Sequence, residues 1–195
     1  MKKILIITPK FFPSIGGIEE QVKLLGENFI KKGYKVDILT NKFEEKIKNK
    51  ETILGLKIFR FQNIFYYILF LIKNRNYELI ISRQYYKNSF ILGLLKITRL
   101  VKSKTIICTD SGGKNDEISN IKNKLEILNL YKLYFYIIGK NDYLNCLNSY
   151  NIKHLNKIFK ENIKVKNKII NIYNGIDINN LKINKINKIR NILFI

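Results

Sequence analysis

Three polar, glycine-containing loops carry the residue types able to do chemistry in this chain, and each follows a short apolar run. The first, PKFFPSIGGIEE at Pro9 to Glu20, places Gly16 and Gly17 at the entry to a helix. Glycines there let the backbone approach a ligand, and the free N–H groups of a helix N-terminus favour a phosphate or other anion. A tight turn alone would also explain the pair. The loop is not a dinucleotide fingerprint, because the third glycine is absent and the turn is too long. The second, TDSGGKNDE at Thr109 to Glu117, offers Asp110 and Ser111 to sugar or polyol hydroxyls, with Gly112 and Gly113 giving backbone access. Its other reading is a connection that caps the following helix. The third, YNGID at Tyr173 to Asp177, has the Asn174–Gly175 turn signal and by itself is only a turn.

Elements that would position these loops are legible as alternating strands and helices, the pattern of a parallel sheet with crossover helices. Strands are expected at Lys3 to Thr8, Lys35 to Thr40, Leu56 to Phe61, Tyr77 to Ser82, Lys104 to Thr109, Tyr143 to Leu147 and Lys168 to Ile172. In the first helix Ile18, Val22, Leu25 and Phe29 share one face, and Gly33 supplies the terminal left-handed position. Further helices are expected at Ile64 to Lys73, Ser89 to Lys102, Ile118 to Lys140 and Tyr150 to Lys160, with Phe43 to Thr52 a charged surface connection. In such a fold ligands bind outside the carboxyl ends of the strands, at the topological switch point. The expectation is one α/β, Rossmann-like domain with a mostly parallel sheet and helices on both faces, over residues 1–180. Residues 181–195 read as a linker and the first strand of a further domain.

Composition narrows the function classes. The 195 residues are 46% hydrophobic, enough to bury a proper core. Cys108 and Cys146 lie in apolar strand-like runs and read as buried thiols in a reducing compartment, with nothing to support a disulfide scaffold or a zinc site. The net charge is +21, yet Arg occurs only at Arg60, Arg75, Arg83, Arg99 and Arg190, the other basic residues being Lys spread over the whole chain beside Asn and Ile. That distribution argues against sequence-specific nucleic-acid recognition, which favours Arg. A Lys-rich surface does attract anionic lipid headgroups. The N-terminal apolar stretch is too short for a signal peptide, with Pro9 and Pro13 directly after it. The longest apolar run, Ile64 to Ile72, is about half the roughly 20 residues that cross a bilayer, so it reads as a buried or interfacial helix. A cytoplasmic protein is expected, with peripheral contact at the inner face of the membrane.

Together the segments resemble the N-terminal domain of the family-4 glycosyltransferases, nucleotide-sugar enzymes of two-Rossmann, GT-B architecture. The resemblance rests on ILIITPKFFPSIGGIEEQVKLLGENFIKKGYKVDILT at 4–40, LKIFRF at 56–61, ELIISRQYY at 78–86 and KIINIYNGIDI at 168–178. The last is similar to the family's IPNG[IV]D segment before the interdomain crossing. The resemblance implies retaining transfer of a hexose from a nucleotide diphosphate sugar, as co-substrate and with no separate cofactor, to a glycan or lipid-linked acceptor held by this domain. Gly16 and Gly17 match the glycine loop against the donor diphosphate, and Glu19 matches the acidic position of that motif. Glu19 also suits the first turn of a helix on electrostatic grounds alone. Arg83 and Tyr85 fall in the region that in relatives faces the acceptor.

Departures from the family pattern are as specific. Asp110 or Ser111 stands where many relatives carry a His, and Asn148 replaces the usual Ser near the sixth strand. The single histidine, His154, is expected on a helix as a surface residue. The donor-side domain with its E-x7-E motif has no counterpart in these residues. The chain alone is therefore expected to be inactive, with a non-catalytic basic module for a glycolipid or anionic membrane surface as the alternative.

Overall fold

A computed structural model describes residues 2–111, 116–126, 130–159, 163–166 and 168–174. The strands are β1 (Lys3–Thr8), β2 (Lys35–Asn41), β3 (Lys50–Ile53), β4 (Leu56–Phe61), β5 (Leu79–Arg83), β6 (Lys104–Cys108), β7 (Tyr143–Asn145) and β8 (Ile169–Ile170). The helices are α1 (Gly17–Lys31), α2 (Ile64–Lys73), α3 (Lys87–Ile97), α4 (Glu117–Glu126), α5 (Leu130–Ile138), α6 (Ser149–Ile158) and α7 (Ile163–Lys166). The strands form one eight-stranded sheet in the order β3-β4-β2-β1-β5-β6-β7-β8. Every pairing is parallel except that of β3 with β4.

Strand β1 takes the central place because KILIIT is apolar on both sides of the pleat, and five of its residues are buried. Alternation along it splits the core. Ile4 and Ile6 join Val22, Ile38, Leu56 and Ile58 on the face covered by α1. Leu5 and Ile7 join Tyr67, Leu71, Leu92, Ile107, Phe135 and Leu155 on the other face, under α2, α3, α5 and α6. Helix α1 ends where Gly33 adopts φ 85, the left-handed position expected for it.

Three expectations change. The charged connection at Phe43 to Thr52 contains β3, an antiparallel edge strand with exposed Lys50 and Thr52, joined to β4 by Leu54 and Gly55 at φ 52 and 79. Both turn residues are left-handed, the requirement of a two-residue hairpin loop, and the charges that hid the strand suit an edge that must not pair with other chains. The long helix expected at Ile118 to Lys140 is two helices, α4 and α5. In a single helix Phe135 would lie about 100° round the axis from Ile118, so one straight rod could not bury both stripes. Helix α3 stops at Ile97 rather than Lys102, with Arg99 turned to φ 56 just beyond it. The second unit expected at 181–195 lies outside the described residues.

Candidate functional site

Because β1 is flanked by β2 on one side and β5 on the other, the order of the strands reverses between β1 and β5, and a crevice opens beyond their carboxyl ends. Loops after β1, β5, β6 and β8 converge there. After β1, Gly16 is the N-cap of α1, in extended conformation and with no side-chain cap. Two residues into the helix Glu19 is buried, and its carboxylate folds back over Gly16, where a Cβ would lie 2.5 Å from Oε2. Ser14 Oγ donates to Glu19 Oε1 at 3.5 Å. Glu19 sits at the positive end of the helix, and its charge also raises the Asp110 carboxyl.

Arg83, the last residue of β5, is the centre of the site. It is only 6% exposed, and its Nη2 forms an ion pair with Asp110 on the loop after β6. Its Nη1 donates to Asn174 Oδ1 at 3.4 Å. Beyond that ion pair, neither oxygen of Asp110 has a hydrogen-bond donor among the described residues. Burial pushes the Asp110 carboxyl upward, Arg83 opposes the shift and Glu19 adds to it. The arrangement leaves a buried carboxylate whose remaining acceptor sites, the kind that take hydroxyl groups, are filled by nothing among the described residues.

Reasoning from sequence missed two residues that hold this site together. Glu117, in the first turn of α4, accepts the Tyr85 N–H at 2.8 Å and the Asp110 N–H at 2.9 Å, tying the β5 loop to the β6 loop. Asn145, at the end of β7, donates from Nδ2 to Ile172 O at 3.0 Å and accepts the Ile172 N–H at 2.7 Å, which positions the segment that presents Asn174. An acidic residue beside a helix start looks like an ordinary dipole partner, and nothing in the sequence says that its oxygens face two loops. Burial pushes the Glu117 carboxyl up from 4.5 to about 7, against the two backbone donors. Because the folded state favours the protonated form, its contribution to stability is full below pH about 4.5 and is lost as pH rises through about 7. Glu117→Gln is therefore expected to remove up to about 3 kcal/mol of pH dependence from that window, read by urea unfolding from pH 4.5 to 8.

The remaining expected site residues divide. Ser111 Oγ accepts the Glu117 N–H at 3.2 Å, so it caps α4, the second reading offered for that loop. Gly112 and Gly175 lie outside the described residues. Nothing lies within 4 Å of a Cβ placed on Gly17, so this position is open. Tyr85 is corrected: it does not face the crevice but is fully buried, with its hydroxyl near the Cys108 and Cys146 thiols. Gln84, at φ 69, turns the chain between Arg83 and Tyr85, so Tyr85 drops into the core and Tyr86 is the tyrosine left exposed. The two thiols are buried and unbridged, and burial pushes them to about 11 and about 12. Asn148 caps α6, its Oδ1 accepting the Asn151 N–H at 2.9 Å.

His154 is likewise not a plain surface residue. Its Nδ1 lies 3.2 Å from Ser119 Oγ and 3.8 Å from Asp116 Oδ1, in a cluster that also has Asn151 Nδ2 donating to Asp116 at 2.6 Å. Serine and aspartate meet the same ring nitrogen, and the group joins α4 to α6.

No family model matches the chain, and no curated protein does. Solved structures do. Sucrose-phosphate synthase from Thermosynechococcus elongatus superposes with a TM-score of 0.60 at 14% identity, covering 89% of this chain and 48% of that one. The chain shares the α/β, Rossmann-like fold of that structure. A second match is the catalytic domain of starch synthase IV from Arabidopsis thaliana bound to ADP and acarbose, with a TM-score of 0.56 and 13% identity over 90% of this chain and 52% of that one. The chain thus spans about half the length of these structures. Among the described residues no helix is long and apolar enough to cross a membrane.

Proposed function

We propose that this GT-B Rossmann-like domain is the acceptor-side half of a family-4-type glycosyltransferase, which passes a hexose from a nucleotide diphosphate sugar to a glycan or lipid-linked acceptor with retention. The observation that carries this reading is the meeting of Glu19, Arg83, Asp110 and Asn174 at the switch point between β1 and β5. Asp110 takes acceptor hydroxyls on its free oxygens, held in place by Arg83. The N–H groups at the start of α1, beside Gly16 and Gly17, face the diphosphate, where charge develops as the sugar leaves. A donor-side domain closes the crevice and supplies most of the nucleotide contacts. Isothermal titration with uridine and guanosine diphosphate sugars, with and without a complementary donor-side domain, tests the reading. Donor binding is expected to require the pair, followed by transfer to a panel of glycan and lipid-linked acceptors. A reconstituted pair that binds donor but transfers to nothing in the panel counts against it.

A second reading, a non-catalytic module on an anionic membrane surface, has one observation in its favour. The outward face of α2 carries Phe65, Tyr66 and Leu69, exposed by 70%, 62% and 47%, and no charge before Lys73. On a chain of net charge +21 such a face suits a lipid interface. Flotation with phosphatidylglycerol vesicles, lost in Phe65→Ser/Leu69→Ser, is the result this reading expects.

A further inference from the structure

Helix α3 starts against the usual electrostatic rule. Its first residue is Lys87, its first turn has no acidic side chain, and Tyr86 at the N-cap supplies no side-chain hydrogen bond. A cation at the positive end of a helix is unfavourable unless an anion lies between them. Among the described residues the backbone N–H groups of Lys87 and Asn88 also have no acceptor.

The space in front of that helix end is a cavity of about 380 Å³, bounded by Pro9 and Asn41 beyond β1 and β2 and by Arg83, Gln84, Lys87 and Asn88. Two buried side chains that line it each carry an unpaired polar atom. Arg83 is 6% exposed and its Nε has no partner, while Asn88 is 8% exposed and its Oδ1 has none. Buried polar atoms are rarely left unpaired. The Asn88 amide can turn over to present either its oxygen or its NH2 group. Neither Asp110 nor Glu117 lines the cavity: Asp110 is paired with Arg83 Nη2, and both oxygens of Glu117 are held by backbone N–H groups.

We propose that this cavity binds the phosphoryl group of a phosphorylated ligand, with the N–H groups of Lys87 and Asn88, the Lys87 ammonium and Arg83 Nε as donors and the Asn88 amide on a neighbouring hydroxyl or phosphoryl oxygen. Helix N-terminus and cations together make an anion site of ordinary design. The cavity adjoins the crevice at Arg83, so the inference rests on the acceptor-side reading in one respect: it makes the phosphoryl group part of the acceptor. The same group could come from a soluble sugar phosphate or from a lipid headgroup.

Amide resonances of the protein, followed during titration with inorganic phosphate, hexose 6-phosphate and phosphatidic acid vesicles, test the site, with phosphatidylcholine vesicles as control. Lys87 and Asn88 amides are expected to shift most. Lys87→Gln, an exposed change that leaves the fold intact, is expected to weaken phosphate binding about tenfold, the effect of one charge-assisted contact. Response to the soluble phosphates assigns a soluble source, and response to phosphatidic acid vesicles alone assigns a headgroup. Shifts that avoid Lys87 and Asn88, no response to any probe, or an affinity unchanged in Lys87→Gln overturn the proposal. Phosphate binding without sugar transfer by the reconstituted pair would sink the glycosyltransferase reading and leave this site standing, whereas transfer without phosphate binding would do the reverse.

Discussion

Arg83→Ala is expected to destabilise the domain by about 3–5 kcal/mol, because it leaves Asp110 as a buried carboxylate without its counter-charge. Burial already pushes that carboxyl upward and Arg83 is the group opposing the shift, so its removal drives the pKa higher still. With the folded pKa raised above the unfolded one, the variant is penalised most at high pH and recovers as acid protonates Asp110. Urea unfolding at pH 5 and pH 8 checks this, and a larger loss at pH 5 would contradict it. Arg83→Met/Asp110→Leu, which removes both charges, is expected to regain much of the stability. It should regain no ligand binding, since both the acceptor oxygens and the guanidinium are gone. Arg83→Lys keeps the charge but not the planar fork that reaches Asp110 and Asn174 together, so it should fold well and bind poorly.

Gly93→Ala is expected to cost roughly 1–3 kcal/mol by overpacking, with Gly93→Val costing more. A Cβ at this position would lie 2.3 Å from the carbonyl oxygen of Ile137 and 2.9 Å from its carbonyl carbon, so α3 and α5 would have to separate. Backbone cannot rotate out of the way as a side chain can. Phe90 and Tyr134 stack one turn nearer the crevice with ring centroids 4.8 Å apart, and Tyr134 Oη donates to Tyr85 O at 2.7 Å. Separation of the helices would therefore also loosen the loop after Arg83. Thermal unfolding should show a fall in Tm of roughly 2–4 °C for each kcal/mol lost. Gly17→Ala is the matched control, with open space around its Cβ. An unchanged Tm in Gly93→Ala would mean that the helices are not packed at this distance.

Sheet and helix order were readable because each strand of the parallel core is a short apolar run and each helix carries its own apolar stripe. β1, β4 and α2 fall on the expected residues for that reason. Edge strand β3 escaped because its Lys50 and Glu51 serve the edge rather than the core, and a charged run looks like a loop. Arg83, Asp110 and Asn174 were named one by one from their positions after strands. Nothing in the linear order said that one guanidinium would touch the other two across 27 and 91 positions of chain.

Gln84 marks the boundary most sharply. Tyr85 and Tyr86 are neighbours of one chemical type, and their order gives no hint of which reaches the crevice. A single left-handed residue sends one into the core and leaves the other outside. Periodicity in the sequence determined the layers of this protein, since apolar burial depends only on spacing along each element. Its site was decided by the tertiary structure, since hydrogen bonds and ion pairs depend on distances between loops that only the assembled sheet brings together.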